Sequence, residues 1–340
     1  MRKKYFISLI ICLLVSISVF AQTGGTTSYH ILQSSSSPRL AAMAIGFSST
    51  YDNDVELVAA NPSLINPNMN NDLSLAFVDY LSDIKFGQVS YSHTFDKAGS
   101  FAGSIIYANY PKFTYADTES ETNGQTFSAN DIAAVIGWGR NLTPHWSIGA
   151  NFKMLFSSYE QYSSFGLAVD VAGTFRIEEK RLDMSLILCN MGAELVKLGD
   201  ERNKMPFEIQ YAISHQLKHL PFRFTILLHD LQRWNLRYDD PTLDQTKTIS
   251  KFGIFADNLF RHFSIGGEFT IAKIVFLRLG YDYQLSREMR VNEIRGLAGF
   301  SFGLGINIYK FEINYAHSVQ TLGAAKNYVS LKTKISDWTK

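Results

Sequence analysis

The side chains that could carry chemistry in this chain do not converge on one site. His229 stands beside Asp230, as in part of a hydrolase triad, but no serine motif completes the set and adjacent strand residues point to opposite faces. His215 and His219 have the i, i+4 spacing of a helical zinc site. On a strand the same spacing separates the two side chains by about 13 Å. The sequence therefore predicts no catalytic residue, no metal site and no cofactor.

Apolar side chains recur instead at every second position over most of the chain. In the segment 274–284, for example, Val275, Leu277, Leu279 and Tyr281 alternate with residues that are mostly polar or small, and only Phe276 breaks the pattern. Alternation over about ten residues is typical of a strand with one apolar and one polar face. Similar segments run from Trp146, Phe207 and Phe263 onward. Each predicts a strand buried on one side only.

The number and spacing of these segments predict the fold class. We count about fourteen strands, joined by short turns that alternate with connections that are mostly longer, of which 233–261 is the longest. An even strand number, with short turns at one end and longer loops at the other, is expected of a single-chain bacterial barrel. The sequence predicts an all-β protein: a transmembrane outer-membrane barrel of about fourteen antiparallel strands, with a short N-terminal helical plug or cap.

The polar positions of the predicted strands would face the lumen of this barrel. They carry both charge signs, whereas an ion-selective pore typically has a ring of one sign. Two interpretations stay open, a lumen filled by hydrogen bonds and salt bridges or a path for a substrate. The predicted polar network of the lumen consists of Lys153, Glu208, Glu268, Arg278, Asp282 and Glu312.

The N-terminus and the composition indicate where the protein is located. Residues 1–21 have three early basic residues, a short apolar stretch and Ala21 at a plausible cleavage site, which together indicate a secretory signal peptide. Residues 22–71 are predicted to form the plug or a periplasmic cap, and 72–340 the barrel. Cleavage would leave Cys189 as the only thiol, which excludes an internal disulfide. A formal net charge of +1 offers no basic field for nucleic acid.

One helix is predicted inside the longest outer loop. In the segment from Lys251 to Arg261, Phe252, Phe255 and Leu259 fall on one helical face. An apolar face on an outer loop is a candidate surface for binding a partner.

An ordered series of short motifs resembles the PorQ family, outer-membrane barrels of the type IX secretion system. With PorV, this family belongs to a wider group that resembles fatty-acid transporters of the FadL kind. The series includes SPRLAAM at 37–43, NPSL at 61–64, YLSDI at 80–84, LRLGYDY at 277–283 and GAAKNY at 323–328.

The resemblance implies a non-enzymatic component of a cell-surface complex that receives secreted cargo. Barrels similar to PorQ are associated with the surface protein PorZ, with the sortase-like PorU and with its barrel partner PorV, so the outer loops would hold a PorZ-like partner. The alternative, implied by the FadL-like relationship, is transport of a small hydrophobic molecule through a gated lumen. In both cases outer-membrane lipid would surround the barrel.

Overall fold

The computed structural model describes residues 29–114, 126–198, 204–237, 250–289 and 296–338. Fourteen antiparallel strands form a closed barrel, which confirms the predicted fold class and strand number. The strands are β1 Asp72–Asp79, β2 Lys85–Phe95, β3 Gly99–Asn109, β4 Phe113–Thr114, β5 Thr126–Phe127, β6 Ala129–Asn141, β7 Trp146–Tyr159, β8 Tyr162–Ile177, β9 Leu182–Val196, β10 Glu208–Gln216, β11 Phe222–Leu228, β12 Phe263–Ile271, β13 Val275–Asp282, β14 Phe300–Ile308, β15 Phe311–Thr321 and β16 Ala324–Lys334. Of these, β4 and β5 form a separate two-stranded ribbon.

Pairing of the first and last strands closes the barrel. The β1 strand pairs with β16 in antiparallel register, from Asp72 opposite Lys334 to Asp79 opposite Asn327. The other neighbours follow sequence order, except that β3 pairs with β6 across the ribbon. Because no strand edge stays free around the ring, every strand has hydrogen-bonding neighbours on both sides.

The two faces of the strands have opposite character. On β13, Leu277 and Leu279 are exposed while Arg278, between them, is buried in the lumen. On β12, Ile265 is exposed and Glu268 is buried. An apolar outer face and a polar inner face are the arrangement of a barrel that crosses a membrane.

Short helices complete the structure. The α-helices are α1 Pro38–Ala42, α2 Lys251–Arg261 and α3 Tyr283–Glu288, and the 3₁₀ helices are His30–Leu32, Val55–Leu57, Pro62–Leu64, Pro67–Met69, Leu81–Asp83, Glu178–Lys180 and Ile335–Asp337. The α2 helix has the bounds predicted for the outer-loop helix. No helix among the described residues is long and apolar enough to cross a membrane. The predicted signal peptide, residues 1–21, lies outside the described residues.

Two predicted secondary-structure elements are wrong in detail. The sequence from Asp52 to Ala60, before Asn61-Pro62, predicts two helical turns. The structure has a single 3₁₀ turn there, Val55–Leu57, because Asp54 is extended and its side chain accepts from the Glu56 amide. Tyr283, predicted to lie on a strand, begins α3 because the Asp282 side chain caps this helix by accepting from the Leu285 amide at 3.0 Å.

Candidate functional site in the plugged lumen

The described N-terminal segment, 29–71, packs inside the barrel and closes its lumen. We call this segment the plug. Its apolar side chains form clusters with the inner wall of the barrel, in which Leu40, Phe47 and Leu64 meet Ile187 and Leu227. All five are buried. The plug therefore has its own hydrophobic contacts in addition to the polar ones.

Local sequence explains why the plug turns where it does. Ser37 caps α1 and Pro38 follows at its first position, which suits the fixed φ of proline. Glycines on the wall then allow close approach: a Cβ on Gly280 would collide with the backbone of Met43, and one on Gly149 with the backbone of Pro62. At these two positions the plug backbone can approach the wall closely because the wall has no side chain there.

Arg39 is the centre of a buried ionic network between the plug and the wall. Its Nε and Nη2 atoms each donate to the Glu268 carboxylate at 3.0 Å, a two-pronged contact. Its Nη1 lies 2.8 Å from the Asp52 carboxylate and 3.0 Å from that of Asp54. Arg278 also donates to Glu268, at 2.8 Å. Two guanidinium groups and three carboxylates therefore connect the plug to β12 and β13.

Lys332 extends this network to the last strand. Its Nζ lies 2.7 Å from the Glu312 carboxylate and 3.7 Å from that of Asp54. Asn314 bridges the two halves, because its amide donates to Glu312 at 3.0 Å and its carbonyl accepts from Arg278 at 2.6 Å. We call these residues, together with Arg39 and its partners, the Arg39 network.

A second polar group lies where β8 and β9 are irregular. Lys153 Nζ is 2.7 Å from the Asp170 carboxylate and 2.8 Å from the Asn190 carbonyl. Asn190 has a positive φ of 57° and the register of the strand pair shifts between Val169 and Val171. A bulge of this kind turns side chains that would otherwise alternate, here into one buried cluster.

The third group lies at the rim formed by the longer loops. Glu208, His229 and Asp230 each place a potential ligand atom within 4.8 Å of the other two. The His229 Nδ1 is 3.2 Å from Asp230, and Arg233 lies 3.0 Å from the same carboxylate. The Arg233 guanidinium thus supplies a positive charge beside Asp230.

The prediction that His229 and Asp230 point to opposite faces of a strand is wrong, because their side chains contact each other. The β11 strand ends at Leu228, and Asp230 has a φ of 54°, so alternation stops before this pair. Burial lowers the pKa of His229, but the hydrogen bond to Asp230 and the nearby Asp282 and Glu208 carboxylates together raise it above its ordinary value. The ring Nε2 is buried without a hydrogen-bond partner among the described residues.

The six predicted lumen residues therefore fall into three groups. Glu268, Arg278 and Glu312 meet in the Arg39 network. Lys153 lies in the bulge group, whereas Glu208 and Asp282 lie near His229 at the rim. The plug side of these contacts was not predicted from the sequence, because Arg39, Asp52 and Asp54 lie in a segment without periodicity. The sequence signal for these contacts is the position of Arg39 among the apolar residues of SPRLAAM, which suggests a buried charge.

The plug leaves a cavity on each side. A cavity of about 530 Å³ lies at the short-turn end, lined by Asp54, Arg223 and Lys273 among others. A smaller one of about 80 Å³ lies toward the longer loops, and Ile31, Leu32, Ile106, Val135, Lys153 and Glu56 contribute to its lining. Asp54 and Glu56 are two positions apart, so at this point a single turn of the plug separates the two cavities.

The residues predicted to bind a partner lie on α2, in the loop between β11 and β12. Phe252 and Phe255 are exposed and Leu259 is partly exposed. None of the three belongs to the Arg39 network. Their role as a partner site stays a prediction.

Comparison with known proteins locates the fold. No family model and no curated protein matches the chain. Among solved structures, it is similar to the toluene transporter TodX of Pseudomonas putida, with a TM-score of 0.55, 13% identity and coverage of 86% of this chain and 95% of TodX. A Pseudomonas aeruginosa FadL homologue gives a TM-score of 0.50 and 9% identity, covering 87% of this chain and 98% of the homologue.

These likenesses concern the fold. At such low identity they show a shared architecture and not a shared ligand. Together with the apolar outer face of the strands, they establish that the chain is a bacterial outer-membrane barrel with the fold of the FadL-like barrels.

Proposed function

We propose that the protein lets small hydrophobic molecules cross the outer membrane through a lumen that the plug opens and closes. The observation that carries the proposal is the pair of cavities separated by one turn of the plug at Val55–Leu57. The smaller cavity has a mixed lining, in which the apolar side chains of Ile31, Leu32, Ile106 and Val135 would contact a hydrophobic ligand beside polar ones such as Glu56 and Lys153. The short-turn end, which faces the periplasm in bacterial barrels, would be the exit.

The chemistry of the plug contacts supports a gate. Ion pairs and hydrogen bonds such as those of Arg39 can exchange one partner for another or for water. Asp52, Asp54 and Glu268 line the larger cavity, so water that enters this cavity would reach their carboxylates. A plug movement that hydrates these charges would cost less than one that leaves them buried and unpaired. Because the chain shares its fold with a toluene transporter, toluene is the first ligand to test.

Uptake of radiolabelled toluene tests this function. Cells that lack the protein should take up toluene more slowly than cells complemented with it, whereas uptake of a small sugar should be equal in both. Equal toluene uptake in the two strains would count against transport. The amount of folded barrel in the membrane is the control, measured by its heat-dependent mobility on a gel.

Anchoring of a surface protein, as in type IX secretion, is the second candidate. The observation that favours it is the filled lumen, in which the buried ion pairs Arg39–Glu268 and Asp54–Lys332 join the plug to the strands. In that role the protein is a closed, non-enzymatic scaffold, and a PorZ-like protein should co-purify with it from outer membranes in mild detergent. Recovery of the barrel alone, with unchanged retention of surface proteins after its deletion, would exclude this candidate.

A further inference from the structure

The α2 helix turns its apolar face away from the protein. Phe252 and Phe255 are 79% and 51% exposed, and Phe260 is also exposed. On the opposite side of the helix, Asn258 and Arg261 are buried. A surface helix in water normally has the reverse orientation, with its apolar stripe toward the core. The exposed apolar face of α2 therefore suggests that it contacts something other than water.

Polar contacts fix this orientation. Asp257 accepts from Arg261 Nε at 3.0 Å with one carboxylate oxygen. Its other oxygen accepts from the Tyr283 hydroxyl at 3.0 Å and lies 3.1 Å from Arg287 Nε on α3. Rotating α2 to bury its phenylalanines would break these contacts. The protein thus provides hydrogen-bond and ion-pair partners for the polar face of α2, whereas the apolar face has no such contacts and is exposed.

The apolar face of α2 continues the lipid-facing surface of the barrel. The Phe260 ring lies 6.4 Å from that of Phe263, the first residue of β12. Ile265 follows on the outer face of the same strand. Nine residues of a strand span about 30 Å along its axis. A tilt of about 40° reduces this to roughly 23 Å, close to the apolar band of an outer-membrane barrel. Phe263 therefore marks the upper edge of the band, directly below α2.

We propose that the outward face of α2, formed by Phe252, Phe255, Leu259 and Phe260, is inserted in the outer leaflet of the membrane. Helices with aromatic residues on one face lie at the boundary between headgroups and acyl chains. Trp234 packs against Phe255 in a tilted arrangement, with ring centroids 5.3 Å apart, and tryptophan is enriched at this level of the membrane. The polar side, which faces water in a free amphipathic helix, here contains Asp257, which contacts Tyr283 and Arg287 on α3.

The continuity with the barrel exterior favours lipid over a protein partner for this face. It gives Phe252, Phe255 and Leu259 a different role from the partner binding predicted from sequence. In this role α2 sets the depth and rotation of the β11–β12 side of the barrel in the membrane. The proposal does not depend on whether the lumen conducts a ligand.

Accessibility of a nitroxide label tests the proposal. The label is attached to a cysteine in place of Phe252 or, separately, Phe255, in full-length protein without its two native cysteines. The protein is reconstituted in vesicles of phosphatidylethanolamine and phosphatidylglycerol. Ile265 on the barrel exterior provides the lipid reference, and Lys180 on a short turn provides the water reference. Heat-dependent gel mobility confirms that each variant is folded.

We expect labels at positions 252 and 255 to collide with oxygen as often as the label at Ile265. We also expect them to be at least several-fold less accessible to a water-soluble nickel complex than the label at Lys180. Two results would overturn the proposal. Nickel accessibility equal to that at Lys180 would place the face in water, free for a protein partner. Shielding from both reagents would place it against protein, such as a second copy of this chain.

Discussion

Replacement of Arg39 by methionine should weaken the attachment of the plug to the barrel wall. Arg39 is buried and has three carboxylates within 3.0 Å, from Asp52, Asp54 and Glu268. Methionine keeps a long unbranched side chain but leaves these charges without their central cation. Removing one partner from a buried ion pair typically costs about 3–5 kcal/mol.

The remaining contacts put the cost at the lower end of that range. Glu268 keeps Arg278 at 2.8 Å, and Asp54 keeps Lys332 at 3.7 Å. A loss of about 3 kcal/mol corresponds to a change of roughly 100-fold in the equilibrium between docked and undocked plug. Because undocking opens the lumen to ions, it should be visible as current.

Conductance across planar bilayers measures this equilibrium. The Arg39→Met variant should open far more often than the wild type, while Arg140→Met, which removes an exposed arginine from β6, should not. Adding Asp54→Asn to Arg39→Met should recover part of the loss, because it removes one of the carboxylates that have lost Arg39 as a partner. An Arg39→Met variant as closed as the wild type, with the same protease sensitivity of the plug, would refute the role given to this network.

Two further predictions concern the wall and the rim. Gly280→Leu should collide with Met43 and destabilise plug docking by about 1–3 kcal/mol, measured by the same current, whereas Gly103→Leu, at a site with open space, should leave it unchanged. The pKa of His229 in the folded protein lies above its ordinary value of 6.5. Protonation of His229 therefore stabilises the loop that follows β11. This stabilisation is complete below pH 6.5 and is lost as the pH rises through the pKa of the folded protein. Protease digestion of this loop should therefore accelerate from about pH 5 to about pH 8, and His229→Asn should remove that part of the pH dependence; an unchanged profile in the variant would contradict it.

The barrel was predictable because lipid imposes a simple pattern on the sequence. A strand with one face in lipid must alternate, so Leu277, Arg278 and Leu279 identify both the strand and its inner side. The same alternation places Glu268 and Arg278 in the lumen, and the register of β12 and β13 sets them opposite each other. Local patterns therefore sufficed for the wall of the barrel.

The plug and the rim depend on contacts that no local pattern encodes. Arg39 meets Glu268 across 229 positions of sequence, and neither residue has a periodic neighbour that indicates the other. At the rim, the positive φ of Asp230 ends the alternation on which the sequence argument relied. The interaction of α2 with lipid follows from which side of the helix is buried, and the sequence shows only that the helix is amphipathic.

A disulfide between the plug and the wall tests most directly whether the plug gates transport. The Oγ atoms of Ser49 on the plug and Ser214 on β10 lie 2.8 Å apart and both residues are buried, so a cysteine pair at these positions is suitably placed for cross-linking. In a background without Cys12 and Cys189, toluene uptake by cells carrying the oxidised pair should fall to that of cells lacking the protein and return on reduction. Uptake that is the same in both redox states, with the cross-link confirmed by mass spectrometry, would contradict a gating plug.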